Sequence, residues 1–143
     1  MLKTIVDGIR TANEEWQKGF NCAESVLRGV CHFHDIDLPD IAKRMATPFG
    51  GGIGRCEDVC GALTGGVMGI GAVLGRADAT GDKTASRVAA ARLYSEFARE
   101  FGSVRCSDLN KGDFDSPQHK PRCGRFVEGA TRFSLEAIEH ARL

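Results

Sequence analysis

Six cysteines in a chain of 143 residues are the side chains best suited to do chemistry here. A thiol attacks a disulfide or ligates a metal as its thiolate, so its surroundings decide what it can do. Cys22 directly follows Asn21, which reads as a helix N-cap with Glu24 completing a capping box. Cys60 falls in the first turn or two of a glycine-rich helix. Cys106 lies in a short turn after Gly102, and Cys123 follows Pro121 by two residues. All four stand near expected helix N-termini, where unpaired N–H groups and the helix dipole favour the thiolate. They are candidate catalytic thiols. Equally, they are a four-thiolate ligand set for zinc or an iron–sulfur cluster. The competing account is that cysteine is a small hydrophobe, often simply buried.

Cys31 and Cys56 are weaker candidates. Cys31 ends the second helix, away from its favourable pole, and reads as packing. Cys56 precedes Cys60 by four residues, which would put the two on one face if that helix began early enough. No Cys-x-x-Cys occurs, so neither a thioredoxin-type pair nor a zinc-ribbon knuckle is present. Among the histidines, His119 stands four residues before Cys123 in a polar stretch. It is a candidate to stabilise a thiolate or accept its proton. His32 and His34 suit a helix C-terminus, where they complement the dipole, and His140 reads as surface. Gly50 to Gly54 make no nucleotide fingerprint, because Glu57 stands where the third glycine would be needed, and no phosphate-loop motif exists.

The elements that must position these thiols follow from helical periodicity. Ile5, Ile9, Ala12, Trp16 and Phe20 predict a first helix from about Leu2 to Lys18, punctuated by Gly19. A second runs from Asn21 through about His32, with Cys22, Ala23, Val26, Leu27, Val30 and Phe33 on its apolar face. Asp37 and Pro39 open a short third helix that Pro48 stops. From Val59 to Gly75 no charged residue occurs, just short of the roughly 18 residues of a membrane span. Gly61, Gly65 and Gly69 share one face of this segment, a ridge that permits close backbone approach. The rest of the chain is amphipathic with no second apolar run, so the segment is expected as a buried central helix. Asp82 caps a long helix to Phe101, with Val88, Leu93, Phe97 and Phe101 inward. A short turn spans Val104 to Leu109, and Pro121 opens the last helix. No period-2 pattern of useful length appears. The expectation is an all-α bundle of five to six helices in one domain, residues 1–143, around the glycine-rich helix.

Hydrophobic residues at 42% and charged residues at 27% place the chain in the globular range, and zero net charge disfavours nucleic acid or an anionic membrane as partner. Met1 leads straight into an amphipathic helix with no signal-like segment. A cytoplasmic location is expected, where clustered cysteines more often do redox work or bind metal than form permanent disulfides.

Cys60-Gly61-Ala62-Leu63-Thr64-Gly65, preceded by Cys22 and followed by Cys106 and Cys123, resembles the signature of the C-GCAxxG-C-C family. Asn21-Cys22-Ala23-Glu24-Ser25 and Phe101-Gly102-Ser103-Val104-Arg105-Cys106 also look like that family's surroundings. Its members are called redox-active by inference from four defining cysteines. The resemblance covers nearly the whole chain, and its cysteines fall on Cys22, Cys60, Cys106 and Cys123. Cys31 and Cys56 lie outside the set.

Three readings follow. In the first, two of the four cysteines cycle between dithiol and disulfide with a redox partner protein or a small thiol. Cys106 and Cys123 are the preferred pair because a flexible loop joins them. In the second, all four hold an iron–sulfur cluster or zinc. In the third, the protein is a helical interaction module with inert thiols. The sequence leaves a homo-oligomer open.

Overall fold

The computed structural model describes residues 3–142, so the Leu2 start expected for the first helix lies outside the described residues. Among those residues there are seven α-helices and one 3-10 turn, and the only strand-like pairing is an isolated bridge. The helices are α1 (Ile5–Lys18), α2 (Cys22–Phe33), α3 (Asp40–Ala46), α4 (Gly61–Leu74), α5 (Thr84–Phe101), α6 (Cys106–Leu109) and α7 (His119–Ala141). The count exceeds the expected five to six because the turn after Gly102 closes into the four-residue α6.

Local chemistry explains the boundaries. Gly19 takes the left-handed conformation that ends α1, and Gly102 does the same for α5. At α2 the Asn21 side chain accepts from the Glu24 N–H at 2.9 Å, and Glu24 accepts from the Asn21 N–H at 2.9 Å. The carboxylate of Asp82 accepts from the Thr84 N–H at the start of α5.

The glycine ridge packs on α2. A Cβ on Gly65 would stand 2.5 Å from the Ala23 carbonyl oxygen and 2.9 Å from its Cα. One on Gly69 would meet Val30, and one on Gly66, on the neighbouring flank, would press on Ser134 and Leu93. The centre of the bundle is nevertheless not α4. Helix α7 packs against α1, α2, α4 and α5, and buries Phe126, Val127, Ala130, Leu135 and Ile138. Helix α4 packs on α2, α5 and α7 and leaves Val67, Gly71 and Ala72 exposed. An apolar helix with small side chains needs neighbours close, not on every side. Along α5 the inward register runs through Ala89, Leu93 and Phe97, whereas Val88, expected inside, is 51% exposed. Among the described residues no helix is long and apolar enough to cross a membrane.

Candidate functional site

The N-terminal ends of α2, α4, α6 and α7 meet around a cavity of about 480 Å³ whose lining includes Cys22, Cys60, Cys106, Cys123 and His119. Cys22 is the first residue of α2, Cys60 the N-cap of α4 and Cys106 the first residue of α6. Cys123 sits one turn into α7, deeper than the sequence implied. Cys60, Cys106 and Cys123 are buried and Cys22 is half-buried.

Each placement has a local cause. Val59 pairs with Arg105 in the isolated antiparallel bridge. The Cys60 N–H donates to Val104 O, and the Cys106 N–H to Asp58 O, both at 2.7 Å. Side chains alternate along extended backbone, so Cys60 and Cys106 leave the bridge on the same face. Two glycines make room for these cysteines. A Cβ on Gly61 would lie 2.8 Å from the Cys22 Sγ, and one on Gly52 would lie 2.8 Å from the Cys106 Cβ. Gly52 belongs to a tight loop in which Ile53, Arg55 and Glu57 also take positive φ, a conformation that strains residues with side chains.

The Cys123 sulfur lies 3.4 Å from His119 Nδ1 and 3.4 Å from Asn110 Oδ1, and those two atoms are 3.1 Å apart. His119 is held edge-on to Trp16, with ring centres 5.9 Å apart, and beside Phe114 at 5.7 Å. Trp16 in turn donates from Nε1 to Lys120 O at 3.0 Å. Arg122 donates to Asn110 Oδ1 at 3.0 Å and to Asp113 at 3.1 Å. Asp113 is held well below the usual carboxylate range, first by Ser116 and then by Arg122. The segment between Cys106 and Cys123 is therefore pinned by hydrogen bonds, not free as expected. Both cysteines line the cavity, and the segment between them folds back on α7.

Electrostatics reverses the expected direction for the thiols. Burial pushes Cys106 up to about 11 and Cys123 up to about 12, and it raises Cys60 further still. The neighbouring sulfurs add to the shift: Cys22 and Cys106 both disfavour a thiolate at Cys60 and at Cys123. Cys22 is also raised by burial, although the N–H groups of Gly51, Ala23 and Ala62 pull the other way. Helix N-termini do favour these thiolates, but the loss of water around buried sulfur outweighs them. His119 is shifted below the ordinary imidazole value by burial and then by Arg122. Its neutral form, with one ring nitrogen a donor and the other an acceptor, is thereby favoured at neutral pH.

Cys31 and Cys56 do not join the cavity. Cys31 is buried with Leu27 and Ala46 in a separate apolar cluster, and Cys56 is exposed. His140 is exposed, and His34 caps α2 edge-on to Phe33. Among the described residues no three of His, Cys, Asp and Glu are arranged to hold a metal ion. Sequence reasoning missed Asn110, Arg122, Trp16 and Arg55. The only signal was spacing: His119, Arg122 and Cys123 share a helix face at i, i+3 and i+4.

The model of the family described as "Putative redox-active protein (C_GCAxxG_C_C)" matches residues 20–137. An uncharacterized protein of Archaeoglobus fulgidus is 28% identical over 130 residues, covering 83% of this chain and 85% of its own. No solved structure matches.

Proposed function

The chain belongs to the C-GCAxxG-C-C family, and from that membership we propose that it is a thiol–disulfide exchange protein whose cavity cysteines store and pass an electron pair. The observation that carries this reading is the contact of Cys123 with a neutral, half-buried histidine inside a cavity that three further thiols line.

The buried thiols are protonated at rest, so exchange needs a base. The Cys123 S–H donates to Asn110 Oδ1 in the resting site. With His119 in the tautomer protonated at Nε2, transfer of that proton to Nδ1 leaves a thiolate beside an imidazolium whose new N–H reaches both Sγ and Asn110 Oδ1. Burial disfavours both charges, so this ion pair is a transient species, held by the new N–H through Sγ and Asn110 Oδ1. The thiolate attacks one sulfur of an external disulfide; the S–S bond breaks, a mixed disulfide forms, and the departing thiolate takes the proton from His119. Cys106 then attacks the Cys123 sulfur of the mixed disulfide and releases the second thiol. The protein loses two electrons and two protons, and the external disulfide gains them. Cys22 and Cys60 would extend the set to a second pair.

The test is a thiol count on protein purified without oxygen, before and after mild oxidant and after a dithiol reductant, with the oxidised pair mapped by mass spectrometry. Reversible loss of two or four thiols among Cys22, Cys60, Cys106 and Cys123 supports the reading. A stoichiometric metal or a visible chromophore would replace it with the cluster or zinc reading. Six unchanged thiols would make the protein an interaction module.

A further inference from the structure

The exchange reading leaves the other reactant open, and the cavity itself narrows it. Its ionisable lining, apart from the four thiols, consists of Arg55, Lys120 and His119, with no Asp or Glu among the described lining residues. In a chain of zero net charge this is a local excess of positive charge. Trp16, Phe20, Phe114 and Phe126 contribute apolar walls, and about 480 Å³ falls within the range of small-molecule pockets. Three of the four sulfurs are buried. A small molecule entering the cavity reaches them more readily than a disulfide on a folded protein surface.

One buried donor has no partner. Asn110 is 1% exposed and lines the cavity, and its Nδ2 makes no hydrogen bond. Arg122, which donates to Oδ1 at 3.0 Å, selects this amide orientation, since the reversed one would turn a donor toward it. An unsatisfied buried N–H is costly unless something accepts from it, and a ligand oxygen would do so.

We propose that the cavity takes a low-molecular-weight anionic disulfide, with Asn110 Nδ2 donating to one of its carboxylate or carbonyl oxygens and Arg55 supplying charge at the entrance. The proposal rests on the exchange reading and specifies its oxidising substrate. Arg55 is exposed and lies over the Phe114 ring at 4.5 Å, so its guanidinium is tethered at the lining while still open to a ligand. The reaction is the two-electron exchange above, with the disulfide reduced to two thiols and the protein dithiol oxidised to a disulfide.

The test is single-turnover oxidation of the fully reduced full-length protein by three disulfides of similar length. These are dithiodipropionate (anionic), hydroxyethyl disulfide (neutral) and cystamine (cationic), each rate normalised to that of free dithiothreitol. The expected result is saturable kinetics with the anion and a preference over the neutral disulfide on the order of tenfold, weakened by salt. Asn110→Ser removes the amide donor without adding charge, and Arg55→Gln removes the guanidinium from an exposed side chain. Both should reduce the anion-to-neutral ratio, whereas a merely structural defect would slow all three disulfides alike. Equal normalised rates, or a preference for cystamine, would overturn the proposal and leave the exchange reading standing. Failure of all three to oxidise the protein, with the thiols intact, would remove both.

Discussion

The two ends of α2 carry the same side chain in opposite circumstances. At the N-terminal end Cys22 faces a cavity, with backbone N–H groups of Gly51, Ala23 and Ala62 directed at its sulfur and three other thiols around it. Toward the C-terminal end Cys31 is sealed against Leu27 and Ala46, with nothing acting on it but burial, which pushes it up to about 11. Both thiols are raised, and both sit on a helix that α4 approaches closely. What separates them is company: a sulfur among sulfurs, donors and a base can exchange electrons, and a sulfur among methyl groups can only fill space. Perturbed ionisation alone does not mark a reactive cysteine.

The comparison can be broken most severely at the shared α2–α4 contact. Gly65→Leu drives a side chain into the Ala23 backbone, which cannot yield as a flexible side chain would. We expect a loss of about 3 kcal/mol or more, read as the urea midpoint, with the cavity disordered as well. An unchanged midpoint would mean that the ridge is not a packing device.

Next comes the cavity end alone. Cys123→Ser should abolish reversible thiol loss between Cys106 and Cys123 while circular dichroism stays unchanged. His119→Gln should slow exchange on the order of 10²-fold at neutral pH, the usual contribution of a positioned base. In the wild-type protein the rate should also fall on acidification, as His119 is protonated and its lone pair is lost. A rate that ignores both changes would assign proton removal to solvent.

A pH titration of stability tests whether both ends are buried as described. Thiols whose folded pKa exceeds the unfolded value near 9 stabilise the fold fully below that pH. Their contribution is lost as pH rises through the folded values of about 11 to 12. The denaturation midpoint of reduced protein should decline from about pH 9 upward. Cys31→Ser should make that decline shallower.

The smallest expected effect sharpens the contrast from the packed end. Cys31→Ser buries a hydroxyl in an apolar cluster and should cost about 1–3 kcal/mol in denaturant unfolding. Its thiol-exchange rate should match the wild type. If exchange fails in this variant, Cys31 communicates with the cavity and the distinction between the ends is wrong.

Much of this molecule is written in interactions between residues three or four apart. The Asn21–Glu24 capping box, the stops at Gly19 and Gly102, and the amphipathic faces of α1, α2 and α7 are local, and were legible in the sequence for that reason. So was the placement of Cys22, Cys60 and Cys106 at helix N-termini, because a helix start is recognisable from its cap and its proline or glycine punctuation. The Val59–Arg105 bridge was not legible: it joins segments 46 residues apart through backbone atoms, on which side-chain identity has little say. Asn110 was hidden too, since its partners Arg122, His119 and Cys123 reach it only when the segment after α6 folds back. The exposed Val88 shows the same limit on a smaller scale, since a helix's apolar face fixes which side turns inward only to within one residue.

The sequence by itself determined the helices, most of their ends and that Cys22, Cys60 and Cys106 stand at them, because those follow from hydrogen bonds and periodicity along a single stretch of chain. Only the tertiary structure decided that the thiols share a cavity, that His119 and Asn110 attend Cys123, and that the ionisation of every cavity thiol shifts upward. The physical reason is desolvation. How strongly a sulfur resists losing its proton depends on how much water the rest of the fold excludes from it, and that exclusion is assembled from all sides at once.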